Sequence, residues 1–330
     1  MTKGLIVLSE PACELIYGDE GVRQIARRVE LLAPPMTAVE LQQRREILAE
    51  VEVLFSGWGA PVLDEATLAA APKLRAVFYG AGSIRSFATD AFWARDIAVT
   101  SAYAMNAVPV AEFTLAAILM SLKQAWYYMV RTQLDRRFPP ARVGAGAYGS
   151  RVGLVSLGMI GRLVRERLRP FDVKVLAYDP FVSKEQATAL DVEMVSLEEI
   201  FRQCDVVSLH TPWLKETEGM ITGALLDSMP HGSTFINTAR GAVVRENEMI
   251  EVLTRRTDLT AVLDVTYPEP PVEGSPFYAL PNVVLTPHIA GSKDKECRRM
   301  GRLMIDEFDR WARGEGMQWQ IDRQRAALLA

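Results

Sequence analysis

Cysteine is scarce in this chain. Its 330 residues hold only Cys13, Cys204 and Cys297, odd in number, far apart and without CxxC spacing. Neither a disulfide framework nor a zinc site is suggested, no other metal site is expected, and buried structural thiols are the expectation. Charge of a single sign is lacking as well. The 37 basic and 41 acidic side chains leave a net charge of −4 with no long run of either sign, so small molecules are expected as partners rather than nucleic acid or a membrane surface. Long apolar runs are also missing. The opening MTKGLIVLSEPACEL is too briefly apolar for a signal-peptide core, and FTLAAILMSL, bounded by Glu112 and Lys123, falls short of membrane thickness. A cytoplasmic protein is expected. No short-period repeat or low-complexity segment appears.

What is present is the composition of a globular protein, 49% apolar and 24% charged, in a chain long enough for two domains. From residue 151 onward, RVGLVSL, VKVLAYD, DVVSLHTP, STFINTA, LTAVLDVT and NVVLTPH alternate with helix-compatible stretches. Continuous rather than alternating apolar runs point to parallel strands buried on both faces. GLIVLS, VEVLFSGW and LRAVFYGAG repeat this rhythm more weakly before residue 105. Two α/β units follow, with residues 107–134 expected to connect them as one long, largely buried helix.

The stretch RVGLVSLGMIGRLV, residues 151–164, has the form of a strand, a tight turn and a helix start, but its turn reads Ser-x-Gly-x-x-Gly. In a dinucleotide loop the first glycine permits the turn, the second admits the pyrophosphate and the third allows close helix packing. Gly158 and Gly161 keep the last two roles. Ser156 is small, yet it meets a steric cost if the turn needs positive φ. Asp179 ends the next strand 18 residues beyond Gly161, near the distance where an acidic side chain meets adenosine ribose hydroxyls and repels a 2′-phosphate. NAD rather than NADP is therefore expected.

Three polar residues recur just past apolar strands: Arg240 in INTARG, Glu269 in LDVTYPEP and His288 in LTPHIAGS. Each alone has a bland reading as a surface charge, a solvated turn residue or a satisfied histidine. In an open α/β sheet, however, all three fall where ligands collect, beyond the carboxyl ends of strands. Reducing a 2-oxo acid needs a hydride from nicotinamide, a proton for the nascent alkoxide and a cation for the carboxylate. His288 suits the proton, Glu269 the support of its imidazolium, and Arg240 the planar fork.

These stretches, with NAVPVAEFTLAAIL, CDVVSLHTPWLKETEGMI and MPHGSTFINTARGAVV, resemble the D-isomer-specific 2-hydroxyacid dehydrogenase family from about residue 50 to about 312. The resemblance implies a Rossmann NAD-binding domain, residues 104–293, inserted in a discontinuous flavodoxin-like substrate domain, residues 1–103 and 294–330. Both would be doubly wound α/β domains. It implies a homodimer made through the cofactor domain, and hydride transfer between NAD(H) and a small 2-hydroxy/2-oxo acid such as glyoxylate or hydroxypyruvate. Arg240, Glu269 and His288 take the catalytic roles already described. Asp264 is expected to hold the nicotinamide carboxamide. The rest of the cofactor site is expected at Ser156, Gly158, Met159, Ile160, Gly161, Asp179, Pro180, His210, Thr211, Pro212, Thr238, Ala239 and Gly291. Arg240 and His288 border the cofactor as well as the substrate, whose carboxylate would also meet backbone N–H groups around Ala81, Gly82 and Ser83.

Two departures stand out besides Ser156. Ile84 occupies a position where the family usually has Asp, and His231 stands in MPHG as a surface turn residue. His210 in SLHTP matches the cofactor strand and is expected as a cofactor wall rather than an acid/base. An NADH-sensing binding protein of the corepressor type is the competing reading. A formate dehydrogenase is disfavoured because Glu269 is present.

Overall fold

The computed structural model describes residues 1–142 and 146–328. They form two compact units, one from residues 1–106 with the segment from Ser292 onward, the other from Ala107–Gly291.

The first unit is built on five parallel strands: β1 (Thr2–Val7), β2 (Val29–Leu31), β3 (Val53–Ser56), β4 (Ala76–Tyr79) and β5 (Ala98–Ser101). Their order is β2-β1-β3-β4-β5, the flavodoxin-like order. Alternation within the strands supplies two cores. Leu5, Val7, Leu54, Val77 and Val99 face one side. Ile6, Phe55 and Phe78 face the other, where the helix Cys297–Ala312 brings Met300, Met304 and Phe308. Phe55 stacks on Phe78 with centroids 5.0 Å apart, and Phe308 closes on Phe55 at 5.6 Å.

The second unit carries seven parallel strands: β6 (Arg151–Val155), β7 (Lys174–Tyr178), β8 (Glu193–Met194), β9 (Val206–Leu209), β10 (Thr234–Asn237), β11 (Thr260–Leu263) and β12 (Val283–Leu285). The order β12-β11-β10-β9-β6-β7-β8 is the Rossmann arrangement with one added edge strand, and the winding reverses between β6 and β9. Val152, Leu154, Val206, Ile236 and Val262 fill one face, while Val155, Val207, Leu209, Phe235 and Leu263 fill the other. Burial on both faces is what the unbroken apolar strands required.

Residues 107–134 do not make the single helix expected of them. One helix runs Tyr103–Leu122 and a second Ala125–Asp135, broken where Gln124 adopts a left-handed backbone at φ 50°. The first is long and apolar enough to cross a membrane by length and composition, yet half of that stretch is buried, with Ala111, Ala117, Ile118 and Leu122 in the core of the second unit. The second helix, AWYYMVRTQLD, buries no residue. An apolar count over the whole stretch could not show that its stripe changes direction at the break. Cys204 and Cys297 are buried as expected, but Cys13 is only partly so.

Candidate active site

The dinucleotide loop sits at the reversal of strand order in the second unit. Ser156 follows β6 with φ 78°, in the left-handed region where glycine is at ease and a side chain costs about 1 kcal/mol. Its hydroxyl lies 2.9 Å from Thr211 Oγ1, on the loop that leaves β9. Gly158 caps the helix Met159–Leu168, and nothing stands within 4 Å of where its Cβ would be. A Cβ on Gly161 would lie 2.2 Å from the Ser156 carbonyl oxygen, so only glycine lets helix and loop approach. Met159 and Ile160 form the first turn, whose free N–H groups suit a phosphate.

Asp179, just past β7, accepts from Leu157 N–H and Phe181 N–H, both at 2.8 Å. The carboxylate thus braces the loop itself, and its remaining lone pairs are available to hydroxyl donors. Pro180 beside it is exposed. His210 directly follows β9 and is buried, with neither ring nitrogen partnered among the described residues. Burial lowers its pKa to about 3, so it is neutral at ordinary pH. An orphaned imidazole beside Gly161, a cradle that excludes a Cβ and an open helix N-terminus together fit a dinucleotide. Pro212 continues the same loop, and Thr238 meets Thr114 hydroxyl to hydroxyl at 3.0 Å.

Arg240 is presented by a turn that Asn237 shapes. The Asn237 amide donates to the Arg240 carbonyl and accepts from Ala239 N–H, both at 3.0 Å. His288 follows β12, and its Nδ1 lies 2.7 Å from Glu269 Oε1. Both side chains are nearly half exposed, which leaves Nε2 as the nitrogen not engaged by Glu269.

Asp264 takes a position that its motif alone did not convey. The carboxylate is 2% exposed and accepts from Thr286 Oγ1 at 2.6 Å, Ile289 N–H at 2.8 Å and Ala290 N–H at 2.9 Å. His288 N–H donates to the Asp264 carbonyl at 2.9 Å. Asp264 therefore grips the turn on both sides of His288, whose φ of 51° is uncommon for a side chain. Gly291 closes this turn at the end of the unit. Thr286, Asn237 and Thr114 escaped sequence reasoning because a small polar residue near a strand end carries no signal of its partner.

Ala81, Gly82 and Ser83 belong to the first unit, just beyond β4. Ala81 is fully buried and Ile84 nearly so, packed in the same core as Phe87. Apolar Ile84 thus turns inward, where an aspartate would need a partner. His231 is exposed in its turn. Among the described residues, no group of three or more His, Cys, Asp or Glu is placed to hold a metal ion.

Comparison with known proteins agrees with this fold. D-3-phosphoglycerate dehydrogenase of Mycobacterium tuberculosis is 35% identical over 73% of this chain and 46% of its own, so the chain spans about half the length of that relative. (S)-sulfolactate dehydrogenase of Chromohalobacter salexigens is 34% identical over 75% of this chain and 81% of its own. The fold matches the NAD-complexed D-isomer specific 2-hydroxyacid dehydrogenase of Lactobacillus delbrueckii ssp. bulgaricus with a TM-score of 0.79 at 21% identity, over 97% of this chain and all of that one. Residues 115–290, more than half of the chain, match the family described as D-isomer specific 2-hydroxyacid dehydrogenase, NAD binding domain. The chain belongs to the D-isomer specific 2-hydroxyacid dehydrogenase family, and its second unit is an NAD-binding domain of that family.

Proposed function

We propose that the protein is an NAD-dependent oxidoreductase that interconverts a small 2-oxo acid, of the size of glyoxylate or hydroxypyruvate, and its 2-hydroxy acid. The observation that carries this reading is the 2.7 Å contact between His288 Nδ1 and Glu269 Oε1. A carboxylate on Nδ1 accepts its N–H and holds the ring in one orientation, so that Nε2 is the atom that gives and takes a proton. Bound NADH supplies the hydride. His288 Nε2 donates its proton to the substrate oxygen as that oxygen becomes an alkoxide, and in the reverse direction it takes the proton back. The Arg240 guanidinium pairs with the substrate carboxylate and draws charge from the neighbouring carbonyl. Asp264 keeps the His288 turn from relaxing while the ring changes charge.

The sulfolactate and phosphoglycerate dehydrogenases among its relatives act, by their names, on 2-hydroxy acids bearing a second anionic group. The test is therefore a panel of 2-oxo acids with and without such a group, offered with NADH and NADPH and followed by loss of the reduced cofactor. Turnover of at least one acid with NADH is expected. Tight NADH binding with no turnover of any would replace the enzyme by a cofactor-sensing protein. The substrate loop is assigned to Ala81, Gly82 and Ser83 under the same reading.

A homodimer through the cofactor domain goes with this function. It is supported by the helix Ala125–Asp135, which has no fully buried residue, and by Met129, Leu134, Phe138 and Tyr148, which are more than half exposed in the same unit. Such a surface ordinarily meets a partner. Sedimentation should give twice the chain mass, and Leu134→Asp should lower it.

A further inference from the structure

The pairing of His288 with Glu269 requires a fixed carboxylate, yet Glu269 stands in the exposed run Tyr267–Pro268–Glu269–Pro270. Its prolines have no N–H to donate. The Thr266 hydroxyl bonds the Pro268 carbonyl at 2.9 Å within the run, which shapes the turn without attaching it to anything else. Two contacts attach it to the segment that follows Arg240. A Cβ on Gly241 would lie 2.1 Å from the Thr266 carbonyl carbon and 2.5 Å from Tyr267 N, so the backbones touch there. Beyond it, Glu246 Oε1 accepts the Tyr267 N–H at 2.7 Å.

Glu246 opens the helix Glu246–Arg255, where a carboxylate would ordinarily serve its own helix N-terminus. It turns instead to a loop 21 residues away. Its neighbours Arg245 and Glu248 pair with each other at 3.1 Å. We propose that Glu246 is a positioning residue for the acid/base pair: by holding the Tyr267 amide it sets the direction from which Glu269 meets His288. Glu246 is half-buried, and burial raises its carboxyl to about 7 against the opposing pull of the Tyr267 N–H.

This proposal rests on the oxidoreductase reading, and its test separates the two. Glu246→Ala should lower kcat for reduction roughly tenfold with the NADH dissociation constant nearly unchanged, since a displaced carboxylate misdirects the ring without touching the cofactor. Glu246→Gln, which keeps an oxygen for the Tyr267 amide, should recover most of the loss. The decisive comparison is Glu246→Ala combined with Glu269→Gln. If Glu246 acts through Glu269, the double variant is no slower than Glu269→Gln alone, whereas losses that multiply would overturn the proposal.

The imidazole nitrogen resonances of His288 provide a readout without turnover. They should move in Glu246→Ala toward their position in Glu269→Gln, and an unmoved resonance would also overturn the proposal. Should the alanine variant fail to fold, Glu246→Asp, one methylene short of the amide, replaces it in both comparisons. A wild type that reduces no 2-oxo acid would end the enzyme reading, and the nitrogen resonances would still decide the positioning role.

Discussion

Ser156 Oγ and Thr211 Oγ1 lie 2.9 Å apart, joining the loops that leave β6 and β9. This bond offsets the strain of a side chain at φ 78°, for a neutral hydrogen bond and a left-handed backbone are each worth about 1 kcal/mol. Ser156→Gly should therefore stay within about 1 kcal/mol of the wild type. Ser156→Ala, which keeps the strain and loses the bond, should be destabilised by about 1–2 kcal/mol. Chemical denaturation orders the three, and alanine as stable as glycine would refute the account.

Asp264 should matter for stability as much as for rate. Asp264→Asn removes a charge and turns an NH2 group toward at least one donor among Thr286, Ile289 and Ala290. A loss of about 2–3 kcal/mol is expected, the range for charge-assisted bonds and an unsatisfied buried donor. Reduction should slow as well, because the turn holding His288 is released. Denaturation midpoints beside kcat test both.

For the pair itself, His288→Gln should cost about 10²- to 10⁴-fold in kcat at every pH, the usual worth of general acid catalysis. Glu269→Gln, which keeps His288 but replaces the carboxylate that orients its ring, should lose less, about ten- to a hundredfold. Equal losses of kcat in the two variants would contradict the arrangement.

Under the proposed function, the remaining lone pairs of Asp179 would meet ribose hydroxyls and its charge would oppose a 2′-phosphate. Asp179→Ala should raise the NADH dissociation constant about tenfold or more, since it also removes the brace on Leu157 N–H. The preference for NADH over NADPH should shrink. An unchanged ratio of catalytic efficiencies would remove the carboxylate from cofactor selection.

His210 gives a stability prediction with a definite sign. Its pKa falls from 6.5 to about 3 on folding, so between those values the unfolded chain takes up a proton that the folded protein refuses. The contribution is fully present above the unfolded value and is lost as pH falls, at up to about 1.4 kcal/mol per pH unit. His210→Phe should show a correspondingly flatter decline between neutral pH and pH 4 in urea denaturation. Equal slopes would refute it.

The sheets were legible because strands such as VVSL and TFIN place apolar residues at consecutive rather than alternating positions, as strands covered on both sides do. Arg240, Glu269 and His288 stood out in the sequence because each lies just past such a strand, and the structure brings Glu269 and His288 into contact. What escaped was whatever depends on partners distant in sequence. The break at Gln124 is one backbone angle inside an otherwise helical stretch. The engagement of Asp264 with residues 286–290 and of Glu246 with Tyr267 spans about twenty residues and leaves no periodicity. Ser156 looked like a weakened glycine, and the hydroxyl that answers it lies 55 residues on.

Arg240, Glu269 and His288 all come from the continuous stretch Ala107–Gly291, whereas the loop at Ala81–Ser83 comes from the other unit. If these residues act as proposed, reactivity and selectivity are inherited on separate pieces of chain. A graft that exchanges residues 1–106 and the segment after Ser292 with those of a relative leaves the proton-handling residues untouched, so a change of substrate need not reinvent the chemistry.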